Sequence, residues 1–100
     1  MEIKVSENSG EYLLEIFGWL DTITSPELGK TLSEIKQAKS ITIDFLNVEY
    51  MSSAGLRQIV AGFKQAKEIN VEYKIINVSN EILSIFQLTG IDKKISITGK

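Results

Sequence analysis

The sequence predicts an α/β domain: a mixed sheet of four to five strands with amphipathic helices packed on it. Three observations carry this. The spacing of apolar residues switches repeatedly between two and about 3.6, giving the order β-β-α-β-α-β-α-β. Asn8-Ser9-Gly10 lies between the first two strand-like stretches and is short enough for a hairpin, so the sheet begins antiparallel. The later strands alternate with helices, and two strand–helix–strand crossovers are expected to be parallel. Residues 1–100 are read as a single domain, because this length leaves no room for a second core.

In order, residues 2–6 (Glu-Ile-Lys-Val-Ser) alternate polar and apolar, as a strand with one wet face does. A second strand runs from about Tyr12 to Trp19, with Gly18 near its end marking a bulge or a close backbone approach. Thr24-Ser25-Pro26-Glu27 is a helix start, either a capping box of Thr24 with Glu27 or Ser25 as cap with Pro26 behind it. Leu28, Leu32, Ile35 and Ala38 form the buried face of that helix, closed by Lys39-Ser40. The third strand is Ile41 to Leu46, with Ile41, Ile43 and Phe45 on one face and Thr42, Asp44 and Leu46 on the other. The second helix buries Leu56, Ile59, Val60, Phe63 and Ala66 and turns Arg57, Gln58, Lys64, Gln65 and Lys67 to solvent. Val71 to Val78 is a fourth strand. Ser79 or Asn80 caps a short helix with Ile82, Leu83, Ile85, Phe86 and Leu88 inside, ended by Gly90, and Ile95 and Ile97 mark a last edge strand.

Composition excludes several functions. The chain is 43% hydrophobic and 24% charged with a net charge of −2, and no basic tract occurs to hold nucleic acid. No apolar run approaches the roughly 20 residues that span a bilayer, and the N-terminus has no signal-peptide core, so a cytoplasmic address without membrane insertion is expected. Cysteine and histidine are both absent, which removes thiol chemistry, the commonest general base and the commonest zinc ligands. No catalytic residue, metal site or cofactor site is expected, and the chain is read as a non-enzyme.

What remains is a pair of serines between the third strand and the second helix, where α/β sheets often place working groups. With Ser52 as N-cap, its hydroxyl accepts from the N–H of Ala54 or Gly55, while Met51 and Leu56 fall at the two positions of a hydrophobic staple. Ser53 is then the first helical residue, outward-facing and without a structural task. A phosphate there would add about −1.5 to −2 charges beside a helix start that tolerates anions. It would change the surface without changing the fold. On spacing alone both serines also read as ordinary capping residues. A nucleophile elbow is excluded, because Met51-Ser52-Ser53-Ala54-Gly55 lacks the first glycine and the chain has no histidine.

The stretch Asn47-Val48-Glu49-Tyr50-Met51-Ser52-Ser53-Ala54-Gly55-Leu56-Arg57 resembles the central signature of the STAS domain of bacterial anti-sigma factor antagonists. Phe17-Gly18-Trp19-Leu20-Asp21 and Ser25-Pro26-Glu27-Leu28 are similar to the family's second strand and first helix, and the order of elements agrees over nearly the whole chain. The resemblance implies a regulator that binds an anti-sigma factor/serine kinase and so releases a sigma factor. That kinase uses ATP to phosphorylate one serine, here Ser53, and a serine phosphatase reverses it. Asp21 matches the family's acidic residue near the acceptor. Ser52 stands where the best-known sporulation members have Asp, and Ala54 where they have a second serine. The partner-binding set is then Asp21, Thr22, Ser25, Ser52, Ser53 and Arg57. The alternatives are a STAS scaffold or accessory module that is never phosphorylated, in a signalling complex or a lipid-transport system, and a small-ligand sensor. Trp19 and Tyr50 are read as packing, with Tyr50 close enough to Ser53 to touch a partner, Asp44 as structural, and Gly55 as room for a partner's backbone.

Overall fold

A computed structural model describes all residues from Met1 to Lys100. Its elements are β1 (Glu2–Asn8), β2 (Glu11–Leu20), α1 (Ser25–Ser33), β3 (Ser40–Met51), α2 (Ser53–Glu68), β4 (Glu72–Val78), α3 (Asn80–Leu88), a 3₁₀ turn (Ile91–Lys93) and β5 (Ser96–Gly99). The five strands lie in sequence order, β1 antiparallel to β2 and every later neighbour parallel. Three crossovers are therefore parallel rather than two, because the edge strand β5 joins β4 through α3.

All three helices cover one face of the sheet. Phe86 of α3 packs on Phe45 of β3 at 6.2 Å between ring centroids, and Phe63 of α2 packs on Tyr73 of β4 at 6.0 Å. Ile41 and Tyr73 are register partners on that face, as are Ile43 and Ile75. Leu14, Ile16 and Leu20 of β2 and Leu28 of α1 complete the same core. The face carrying Leu13, Phe17, Thr42 and Lys74 receives no helix and is only half-buried.

Three elements depart from expectation. The third strand does not stop at Leu46 but continues to Met51, because Asn47, Val48, Tyr50 and Met51 pair with Phe17, Gly18, Trp19 and Leu20 across two register shifts. One shift falls at Gly18, whose φ of +96° is the bulge its glycine suggested. The first helix ends at Ser33, before Ile35 and Ala38. Glu34 N–H already bonds back to Lys30 O and Ile35 N–H to Leu32 O, a tightened last turn that leaves Ile35 buried beyond the helix end. Neither proposed cap of α1 forms: Thr24 is the N-cap without a side-chain cap bond, since its hydroxyl is held against Trp19 O at 2.7 Å. Leu88, expected inside, is 87% exposed at the end of α3.

Tyr73 ties the layers together. Its hydroxyl donates to Ile59 O at 2.9 Å inside the core, and burial pushes its pKa far above the usual value. A raised tyrosine pKa stabilises the fold below the unfolded value of about 10 and loses that contribution as pH rises beyond it. Tyr73→Phe should cost about 1 kcal/mol at neutral pH. It should also move the alkaline unfolding midpoint upward relative to the neutral-pH stability, read by circular dichroism.

Candidate functional site

The site forms where β2 and β3, side by side and parallel, reach their C-terminal ends. Leu20 pairs with Met51, and Leu20 O accepts the N–H of Ser52 at 2.9 Å. This bond fixes the turn after β2 beside the start of α2. Met51 is buried and Leu56 packs against the same core, so the chain enters the helix in the register the apolar pattern implied.

Ser52 is the N-cap, extended at φ −89° and ψ 175°, and its hydroxyl accepts from Gly55 N at 3.3 Å. Ser52→Ala should cost about 1 kcal/mol, visible as a fall of roughly 4–8 °C in Tm. Ser53 follows as the first helical residue. It is exposed, and with the cap supplied by Ser52 its hydroxyl is free for chemistry. No acidic residue occupies this first turn, so the unpaired N–H groups there face no competing negative side chain.

Asp21 builds the neighbouring turn. Its Oδ1 accepts from the N–H groups of Ile23 and Thr24, both at 3.0 Å, and lies 3.0 Å from the Thr24 hydroxyl. The bonds from Thr24, backbone first and hydroxyl second, hold the carboxyl below its usual pKa. That contribution is present above about pH 4 and is lost as pH falls through the lowered folded value. Asp21 thus closes the strand, and the Leu20 O to Ser52 N bond holds that strand end beside the start of α2.

Thr22 and Arg57 are exposed at this end, Arg57 one turn beyond Ser53 on α2. Ser25 is a correction. It is only 2% exposed, drawn inward because its N–H bonds to Asp21 O at 2.8 Å at the first turn of α1, so its side chain is not open to a partner. Gly55 is another. A Cβ there would lie 2.7 Å from Leu20 O and 2.8 Å from Leu20 Cγ, so the close approach it permits is internal, between α2 and β2. Asp44 is structural as expected, accepting from Leu46 N at 2.9 Å and from Asn77 Nδ2 at 3.0 Å.

Of an apolar rim at this end, sequence reasoning found Tyr50 and missed Trp19 and Ile23. Ile23, in the Asp21 turn, is 87% exposed; Trp19 and Tyr50 touch each other but remain 56% and 46% exposed. For Trp19 and Tyr50 the available signal was their place: each directly precedes a buried residue at a strand end, and alternation turns it away from the helices. A cleft of about 380 Å³ lined by Val60, Phe63, Lys64, Lys67 and Lys94 lies further along α2 and does not include the serines.

The STAS domain family profile matches residues 2–100, the two strand ends and the serine-led helix included. The chain belongs to the STAS domain family. It is 29% identical to the anti-sigma-B factor antagonist of Bacillus subtilis over 101 aligned residues, covering all of this chain and 93% of the relative. Among solved structures, an anti-sigma factor antagonist from Mycobacterium paratuberculosis superposes with a TM-score of 0.88 at 20% identity, over 99% of this STAS chain and 86% of the other. The Bacillus cell fate determinant SpoIIAA in its phosphorylated form superposes with a TM-score of 0.79 at 15% identity, over 96% and 90% of the two chains. These relatives and structural neighbours carry the name anti-sigma factor antagonist, and the five-stranded mixed sheet with three helices is the fold this STAS protein shares with them. No helix in it is long and apolar enough to cross a membrane.

Proposed function

We propose that this protein is an anti-sigma factor antagonist whose unmodified form binds an anti-sigma factor/serine kinase in the cytoplasm, frees the sigma factor, and is switched off by phosphorylation at Ser53. The observation that carries the reading is the division of labour at the helix start: Ser52 satisfies the backbone, and Ser53 presents an exposed alcohol beside the Asp21 turn. In the reaction, Ser53 Oγ attacks the γ-phosphorus of ATP held by the partner. The bond from that phosphorus to the ADP oxygen breaks, ADP leaves, and the hydroxyl proton passes to a base on the kinase. This chain supplies the acceptor and its positioning, with no cofactor or catalytic group of its own. A serine phosphatase returns the phosphoryl group to water.

The added charge falls at the N-terminus of a 16-residue helix, where backbone N–H groups and the macrodipole accommodate it. The fold shared with phosphorylated SpoIIAA supports the same view. For the unmodified form, Asp21, Thr22, Ser52, Ser53 and Arg57 lie at the face offered to the kinase. Mass spectrometry after incubation with kinase and ATP tests the assignment. One phosphoryl group on Ser53, absent from Ser53→Ala, is expected; a phosphate on any other residue, or none, rejects it.

A further inference from the structure

We propose that Trp19 and Tyr50, together with Ile23 of the turn that follows β2, are the apolar anchor by which the anti-sigma factor grips this protein, separate from the serine that controls the grip. This rests on the reading that such a partner covers Ser53.

Leu20 and Met51 are 0% and 4% exposed and face the helices. Alternation along a strand then sends their predecessors, Trp19 and Tyr50, to the other face, where no helix lies. The two are register partners, and their rings meet at 5.1 Å and 43°. That contact leaves 56% of Trp19 and 46% of Tyr50 in water, so the pair is incompletely covered by its own fold.

Ile23 is 87% exposed, yet its backbone is not loose, because its N–H is tied to Asp21 Oδ1 at 3.0 Å. A side chain on so fixed a turn loses little conformational freedom when a partner covers it.

The three are continuous with the serine site. Trp19 and Tyr50 immediately precede Leu20 and Met51, and the Leu20 O to Ser52 N bond locks both strand ends to the helix start. A partner of ordinary footprint, roughly 800 Å² a side, that covers Ser53 extends over the strand ends as well. Asp21 and Glu49, close in sequence to Trp19 and Tyr50, add polar groups at the same two strand ends, and Trp and Tyr are the residues that most often carry binding energy at interfaces. The occupant is therefore a protein with an apolar recess beside the groups that approach Ser53. Phosphorylation leaves this anchor unaltered. Affinity resides largely in the aromatics, and control in the alcohol.

Trp19 is the only tryptophan in the chain, so protein grown with 5-fluorotryptophan gives one ¹⁹F resonance for this position. The probe is an unlabelled anti-sigma factor/serine kinase that the parent protein binds. The resonance is expected to shift on titration. Trp19→Ala and Tyr50→Ala are each expected to weaken binding about 30-fold or more by calorimetry, with circular dichroism showing the folded state retained at the titration temperature. A resonance that stays in place when calorimetry shows saturation overturns the proposal, as do two variants that bind like the parent. So does a shift that follows the concentration of this protein alone, which would make the patch a contact between copies. The switch fails separately: if Ser53→Asp binds like the parent while the Trp19 resonance moves, the anchor stands and the phosphoserine reading falls.

Discussion

Ser53→Asp should lower affinity for the anti-sigma factor by about 100-fold or more, the loss expected when a charge is buried unpaired at an interface, while leaving the fold intact. The separation follows from where the carboxylate lands. Inside the monomer it meets the open N–H groups at the start of α2, an interaction worth about 0.3–1 kcal/mol in its favour, so Tm should hold or rise slightly. Only a body laid over the helix start is penalised. Ser53→Ala should keep the parent's affinity and lose its response to kinase and ATP. Calorimetric titration paired with thermal melts decides the matter, and a Ser53→Asp protein that binds tightly rejects the mechanism.

Gly55→Ala should destabilise the protein by about 2 kcal/mol or more, a fall of roughly 10 °C in Tm, although helix propensity alone favours Ala over Gly by about 1 kcal/mol. The added methyl would meet Leu20 O at 2.7 Å, Leu20 Cγ at 2.8 Å and Met51 Cγ at 3.1 Å. One of those atoms is backbone, and the same carbonyl accepts from Ser52 N–H. Relief therefore comes by lifting α2 away from β2, which carries Ser53 away from the Asp21 turn. Partner binding should fall together with stability. A Gly55→Ala protein as stable as the parent would show that the contact relaxes freely.

The middle of the chain was legible because its signals are local. Met51, Ser52 and Leu56 set the register of α2 from cap and apolar spacing, and the structure keeps that register. The full length of β3 was not, because Asn47-Val48-Glu49 carries weak strand preference and is held extended by pairing with β2 across bulges. Ser25 misled for a related reason: a serine before a proline reads as surface, and only the turn built on Asp21 shows it drawn inward. Trp19 and Tyr50 were correctly seen to pack, yet a one-dimensional pattern does not reveal that one face of the sheet is left bare. That needed the position of all three helices at once.

The opening hairpin has a practical corollary. Because β1 runs against β2, Met1 comes back to lie near Gly18, and because β5 runs with β4, Lys100 finishes at Val78, its N–H bonded to that residue's carbonyl at 3.2 Å. Both chain ends thus emerge on the rim that carries Ser53. An affinity tag or a fluorescent fusion attached at Met1 or Lys100 would stand beside the proposed docking face rather than behind it, and a surface for immobilisation is better made through the lysines far along α2.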